Sequence, residues 1–424
     1  MREMKDSGVD WIGEVPASWD MLRIYQLAFP VKNKNEGMKE NNLLSLSYGN
    51  IVQKDINKVD GLVPASYEGY NIIEPGDIVL RFTDLQNDQR SLRTGLCSFN
   101  GIITSAYLTI RPRHELVSSE YFHYVLHFVD TLKVFYNMGG GMRQSLDWHG
   151  VSHMFLPIPP QAEQCRIVAY LDERCAAIDE DVAKRREVIE KLKEYKKSLI
   201  AHAVTKGLDP NAEMRDSGVE WIGEVPAGWE IHYPKALFFM RNERMKPGDT
   251  QLTASQEYGV IPQSEFQERE GRRVVQVILN PDILKHVEVG DFVMHMRSFQ
   301  GGLELAYQSG CVSSAYVMLR RRTDKVRESY FKYLFKSSAY IDALRSTSNL
   351  IRDGQALRFA NFIQVYLPLP SIDEQDKIAV YLDERCAAID EAVSRQEKLI
   401  EKLGEYRKSI IHHAVTGKID CTEA

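Results

Sequence analysis

Two stretches of this chain carry a narrow apolar stripe on an otherwise charged surface. From Leu171, alternating steps of four and three land on Cys175, Ile178, Val182, Arg185, Ile189, Leu192, Lys196, Leu199 and Ala203. Most of these are apolar or small, and the faces between them carry Lys, Arg and Glu. A repeat of 3.5 residues predicts a long helix that buries one seam, as in a coiled coil, rather than a core helix. The second stripe runs Leu382, Cys386, Ile389, Val393, Gln396, Ile400, Leu403, Arg407, Ile410 and Ala414. No proline interrupts residues 161–206 or 372–416, and Gly404 is their only glycine. Gly207 and Gly417 suit the left-handed position that closes a helix. Ser371-Ile372-Asp373-Glu374 has the form of a capping box. Arg185, Lys196 and Arg407 interrupt the seams, so they are expected to snorkel or to form ion pairs.

One such stripe alone leaves its apolar face unmatched, and two in one chain most simply pair with each other. About 160 residues lie between them, so either orientation is open. An antiparallel pair carries the intervening segments at opposite ends of a pseudo-twofold particle. Leu171 to Ala203 spans roughly 50 Å as helix. DNA half-sites one turn apart lie about 34–36 Å from centre to centre, so a rod of that length can hold two readers on one duplex.

The stripes belong to a larger repeat. Asp6–Trp19 (DSGVDWIGEVPASW) returns as Asp216–Trp229 (DSGVEWIGEVPAGW), and Tyr170–Glu180 (YLDERCAAIDE) returns unaltered as Tyr381–Glu391. Weaker echoes pair EPGDIV (74–79) with EVGDFV (288–293), TSAYLTIR (104–111) with SSAYVMLR (313–320), and LPIPP (156–160) with LPLPS (367–371). The unit is about 210 residues long; its ends match closely and its middle hardly at all. Two copies of one frame therefore hold two different inserts, as expected if each insert has its own target.

The inserts, residues 20–155 and 230–366, alternate short apolar runs with helical stretches near 118–136 and 327–345. They predict mixed helix and strand, with strands at Ile78–Leu80, Ile102-Ile103, Tyr107–Ile110, Phe292–Met294 and Tyr316–Leu319. After the shared G-D-x-V strand, each insert enters a polar loop. Arg forks onto guanine, and Asn or Gln onto adenine, at base edges in the major groove, whereas Ser and Thr more often hold phosphates. The first loop offers Arg81, Thr83, Asn87, Gln89, Arg90 and Arg93, and the second offers Arg297, Ser298 and Gln300. A second polar cluster closes each insert, with Arg143 and Gln144 after three glycines, and Arg352 and Gln355 around Gly354.

Charge neither establishes nor excludes nucleic-acid binding. The chain of 424 residues has a formal net charge of −6. Residues 230–366 nevertheless hold nineteen Lys and Arg against fifteen Asp and Glu, and residues 20–155 hold thirteen against fourteen. Six scattered cysteines without a C-x-x-C pair disfavour a disulfide framework or a zinc site. No apolar run reaches the roughly 20 residues of a membrane span, and the first residues lack a secretory apolar core. Intrinsic catalysis finds no support either. There is no N-P-P-F/Y methyltransferase stretch and no G-x-x-x-x-G-K-[ST] nucleotide loop, and Gly139-Gly140-Gly141 is not G-x-G-x-x-G. No metal site is expected, and His202, His412 and His413 are expected to cap or face the helix ends.

The G-E-V-P-x-x-W openings, the L-P-x-P-P/S-x-x-E-Q entries to the long helices and the repeated order of the whole chain resemble the specificity subunit of type I restriction–modification enzymes. LRFTDLQNDQRSLRTG and MRSFQGGLE also resemble that family's target recognition domains. The resemblance implies an α+β chain with pseudo-twofold tandem organisation: a first target recognition domain over 1–155, a central helix region over 156–210, a second recognition domain over 211–366 and a C-terminal helix region over 367–424. The two α/β recognition domains would be separated by an antiparallel coiled coil. Each would read one half of a bipartite, asymmetric site in double-stranded DNA. The helices, through Leu171, Ile178, Val182, Ile189, Leu192, Leu199, Leu382, Ile389, Val393, Ile400, Leu403 and Ile410, would set the gap and dock two adenine-N6 methyltransferase subunits. The chain itself would be non-catalytic and bind no cofactor. S-adenosylmethionine, ATP and magnesium would belong to the methyltransferase and motor-nuclease subunits, in a prokaryotic cytoplasm at the nucleoid. The alternative is a coiled-coil adaptor without sequence-specific DNA binding, which explains the stripes but not two dissimilar polar-looped inserts.

Overall fold

The computed structural model describes residues 2–56, 64, 66–83, 85, 92–138, 146–271, 283–295, 298–347 and 357–421. The chain divides into two compact units: Met1–Arg185 with Glu397–Ala424, and Arg186–Gln396. No described helix is long and apolar enough to cross a membrane.

In unit 1 the repeated opening forms a hairpin, Met4–Asp6 against Glu14–Pro16, and strand Asp20–Arg23 pairs antiparallel with Phe155–Ile158. That pairing brings the two ends of the insert together. Between them lies an antiparallel sheet in the order Ala28–Pro30, Leu108–Pro112, Ile78–Leu80, Thr94–Leu96. A second sheet runs in the order Asn50–Lys54, Leu43–Ser47, Gly101–Ile103, Asn71–Ile73. Helix Ser119–Thr131 starts where Ser118 Oγ accepts the Tyr121 N–H at 3.2 Å. It lays Tyr121, Phe122, Val125, Leu126, Phe128 and Val129 into the core on its 3.6-residue face.

Unit 2 repeats this frame. Met214–Asp216 pairs with Glu224–Pro226, and Glu230–His232 pairs with Leu367–Leu369. Its four-stranded sheet runs Phe238–Arg241, Val317–Arg321, Phe292–Met294, Glu304–Leu305. This is the counterpart of the first sheet of unit 1, so the repeat persists through inserts whose sequences hardly match. The expected helical stretch near 327–345 is broken into Glu328–Leu334 and Ser338–Ser346. Ser337 makes the break, its Oγ accepting the Tyr340 N–H and so restarting the second helix.

Both apolar stripes form continuous helices, Gln161–Lys206 and Ile372–Val415. Every stripe position from Leu171 to Ala203 is buried or half-buried, and between Leu171 and Leu199 only Asp181 off the stripe is not exposed. The 3.5-residue register is thus the buried one. Within unit 1, Leu171, Cys175 and Ile178 share a core with Ile410, Ile411, Ala414 and Val415. Within unit 2, Leu382 and Ile378 share a core with Ala203 and Val204. The charged interruptions are matched too. Lys196 Nζ lies 2.7 and 2.6 Å from the two Asp390 oxygens, Arg407 pairs with Asp179, and Arg185 pairs with Asp181 at 3.1 Å on its own helix.

The helix ends are closed by the expected glycines, Gly207 at φ 75° and Gly417 at φ 70°. The capping box is only half made. Ser371 Oγ accepts the Glu374 N–H at 3.4 Å, but the Glu374 carboxylate accepts from the Trp229 indole at 2.8 Å. His412 lies in the last turn of its helix, as expected. Burial holds its pKa down to about 4, with Lys418 and His413 adding to the effect, and its ring stacks on Phe128 with centroids 4.7 Å apart.

Candidate nucleic-acid interface

The repeated motifs meet in space. In unit 1 Trp19, which ends the G-E-V-P-x-x-W opening, donates its indole N–H to Glu163 at 3.1 Å. The neighbouring Gln164 accepts the Ser118 N–H and donates to the Leu116 and Pro159 carbonyls. Unit 2 repeats both: Trp229 to Glu374, and Gln375 with the Arg327 N–H and the Lys325 and Pro370 carbonyls. Each Glu-Gln pair thus ties the helix entry to the opening and to the insert's helix. Buried polar groups of this kind are costly unless matched, so the motif spacing is a folding constraint. The weaker echoes also meet. Arg111 forks onto the fully buried Asp77 at 2.7 and 2.9 Å, and Arg320 and Arg241 converge on Glu288 and Asp291.

These contacts fix the strand from which each polar loop springs. In unit 1 the loop leaves Ile78–Leu80 and returns at Thr94–Leu96. Arg81 N–H donates to the Arg93 carbonyl at 2.8 Å, closing its neck. Phe82 and Leu85 point into the core, and Phe82 packs edge-on against Phe135 with centroids 4.8 Å apart. Leu146 N–H donates to the Phe82 carbonyl at 3.2 Å. Phe135 precedes the second polar cluster and Leu146 follows it, so the two candidate DNA-contacting segments share one anchorage. In unit 2, strand Phe292–Met294 leads into the short helix Ser298–Gly301. Gly302, at φ 81°, sits so close to the chain that a Cβ would fall 2.1 Å from the Phe335 carbonyl oxygen. That junction presses the loop against the helices that run up to the second cluster.

Of the candidate contacts, Arg81, Thr83, Arg93, Ser298 and Gln300 are described; Asn87, Gln89, Arg90, Arg143, Gln144, Arg297, Arg352 and Gln355 lie outside the described residues. Gln300 is exposed, and Arg81 and Thr83 are half-buried. Arg93 departs from expectation. Its side chain is fully buried, with Nε 3.2 Å from the Tyr136 hydroxyl and Nη1 2.9 Å from the Thr83 carbonyl, while its backbone N–H donates to Asp130 at 2.6 Å. A guanidinium spent this way clamps the loop instead of reading a base. Ser298 is buried as well, its Oγ accepting the His295 N–H at 2.9 Å, which starts the short helix. In both cases the residue type was right for a contact, but the side chain satisfies backbone groups of its own loop.

Sequence reading also missed a neighbour of the loops. In unit 1, hairpin Leu43–Ser47/Asn50–Lys54 ends at Tyr48-Gly49, where a Cβ on Gly49 would lie 3.0 Å from Leu92. In unit 2, hairpin Leu252–Ser255/Gly259–Pro262 reaches the second loop, with Gln256 packed on Gly301. The signal was present: Tyr-Gly-x-Ile at 48–51 recurs 210 positions on at 258–261.

Glu243, His286 and Glu288 bring three potential metal-ligating atoms within 4.8 Å of one another. Their surroundings answer them with cations instead. Burial would raise the Glu288 carboxyl, but Arg241, Lys246 and Arg320 together hold it at about 2. His286 Nδ1 sits 2.8 Å from Asp249. The cluster is an ion-pair network that braces the strand before the second loop.

No protein-family model matches the chain. Over 428 residues it is 22% identical to the putative type I restriction enzyme MjaX specificity subunit of Methanocaldococcus jannaschii, covering 96% of this chain and 95% of that relative. Among solved structures it matches a chain from work on complex assembly and conformational transition of the type I R-M system, with a TM-score of 0.67 at 17% identity, over 96% of this chain and 99% of the other. It also matches the HsdS subunit from Thermoanaerobacter tengcongensis, with a TM-score of 0.49 at 17% identity, over 96% and 98%. The resemblance to specificity subunits, on the relative and on the structure at a TM-score of 0.67, covers 96% of the chain. Specificity subunits are non-catalytic components of type I systems.

Proposed function

We propose that this chain, a type I specificity subunit in its sequence resemblance and its fold, reads a bipartite, asymmetric DNA site with one half assigned to each insert. The recognition domains are residues 1–155 and 211–366, and the helix regions are 156–210 and 367–424. One observation carries the reading: in each unit, two polar segments that carry Arg and Gln leave elements that pack on each other, on a frame repeated nearly unchanged. A common frame with dissimilar polar loops is what reading two different sequences requires.

Arg81, Thr83, Asn87, Gln89, Arg90, Arg143 and Gln144 form the first reading surface. Arg297, Gln300, Arg352 and Gln355 form the second, with Arg93 and Ser298 shaping the loops. The long helices pair antiparallel along their seams, set the unspecified gap and dock two methyltransferase subunits. S-adenosylmethionine, ATP and magnesium act on the partner subunits, and the complex works on the nucleoid in the cytoplasm.

Selection of duplexes from a random pool tests this. Alanine at Arg297, Gln300, Arg352 and Gln355 together should erase one half of the selected site and leave the other, with about 1–3 kcal/mol lost for each base-forking side chain. An unchanged site and affinity would refute the assignment. A chain that enriches no sequence would favour the adaptor reading.

A further inference from the structure

The hairpin tip at Tyr48 is built unlike its counterpart. Ser47 pairs with Asn50, leaving a two-residue turn in which Tyr48 (φ 48°) and Gly49 (φ 82°) are both left-handed. Turns of this kind favour Asn, Asp or Gly at the first position, because a Cβ crowds the backbone there. A tyrosine is a poor choice locally, and packing does not compensate, since Tyr48 is 83% exposed. In unit 2 the equivalent Tyr258 is covered. The Arg269 guanidinium lies 5.0 Å over its ring, and its hydroxyl donates to Glu270 at 3.1 Å. Tyr258 also escapes the left-handed backbone, because its tip is longer and only Gly259 has positive φ there.

Tyr48 thus keeps an unfavourable conformation and an uncovered ring at the place where its hairpin touches the return end of the first polar loop. Gly49 abuts Leu92, and Gly95 lies beneath Leu46 and Ile51, so the tip is held in register with the loop. The exposed residues that follow, Asn50, Val52, Gln53, Lys54 and Asp55, carry one cation and one carboxylate. A tip with no net charge and an exposed phenol lets a polyanion approach. Backbone strain kept without local reward is characteristic of binding sites. Tyrosine hydroxyls are regular donors to DNA phosphates, which fix register without reading sequence.

We propose that Tyr48 is a DNA-positioning contact of the first domain, its hydroxyl donating to a phosphate beside the half-site read by the adjoining loop. The second domain has no equivalent, because Tyr258 is already engaged. This inference rests on the DNA-reading proposal above.

The test uses the full chain and the duplex that it selects from a random pool. Failure of the unaltered chain to select any duplex would defeat the DNA-reading proposal itself; the variants address Tyr48 alone. Y48F keeps the turn and removes the hydroxyl, and should weaken binding about five- to tenfold without changing the selected sequence. Y48N suits the turn better, so it should melt no lower than the parent and still bind at least as weakly as Y48F. Y258F should bind as the parent does. Unchanged affinity in Y48N would overturn the proposal. So would a silent Y48F beside a weakened Y48N with altered preference at one base, because that pattern belongs to stacking on a base.

Discussion

Lys196 places its ammonium 2.7 and 2.6 Å from the two carboxylate oxygens of Asp390. A shift of 211 positions carries Asp179 onto Asp390 and Lys196 onto Arg407, and Arg407 and Asp179 make the same ion pair within unit 1. One duplicated sequence therefore writes both halves of the interaction. The cation sits late in the helix of one repeat and its acid sits early in the helix of the other. A cation on an apolar seam is a loss in an isolated helix, and it is tolerated where a partner of fixed register answers it.

Charge reversal at these pairs should be measurable but small. Asp390 is largely exposed, so K196D or D390K alone should cost about 0.5–1 kcal/mol, most of it repulsion. The doubly swapped chain should recover most of that loss. Thermal melts of the four proteins form a double-mutant cycle, and additive losses would mean that the pair does not couple.

Arg93 is expected to matter for folding and not for the letters read. R93A leaves the Tyr136 hydroxyl and the Thr83 carbonyl without their donor and opens a cavity, at a cost of about 3 kcal/mol. R81A, at a half-buried position, should cost under about 1 kcal/mol. Urea melts compare the two. A stability loss for R93A no larger than for R81A would show that the clamp carries no weight.

Acid should loosen unit 1 through two half-buried imidazoles, His123 and His127. Burial holds His123 at about 3 and His127 at about 4, helped by their neighbours, His127 for the first and Arg407 for the second. Both lie below the ordinary histidine value, so the unfolded chain takes up protons first as pH falls. Their contribution is fully present above about pH 6.5 and is lost toward pH 4, by about 3 kcal/mol for each histidine. The H123Q/H127Q double variant should show a flatter fall of urea midpoint between pH 7 and pH 4.5 than the parent. Equal slopes would exclude these two groups as the cause.

The frame was legible because its determinants are local or repeated. Helix periodicity, the closing glycines Gly207 and Gly417 and the duplicated motifs all survive as written. What escaped was set by long-range contact. Nothing near Arg93 in the sequence announces Tyr136, 43 residues away, whose hydroxyl accepts from Nε and turns the guanidinium inward. Glu374 has the capping-box spacing, yet Trp229, 145 residues distant, takes its carboxylate. The break between the two helices of unit 2 depends on Ser337, whose hydroxyl outcompetes a continuous helix once Phe335 and Tyr340 are buried on both sides of it. The polar loops were identified by composition, but composition does not tell a side chain that reads a base from one that satisfies its own backbone.

As proposed here, the two long helices pair and act as a spacer between two readers. Deleting one heptad from each helix, residues 182–188 and 393–399, shortens the pair by about 10 Å while keeping the seam in phase. Duplex selection with the parent and the shortened chain should return the same two half-sites, with the gap reduced by about three base pairs at roughly 3.4 Å per pair. Recovery of both halves at the original gap would contradict the account.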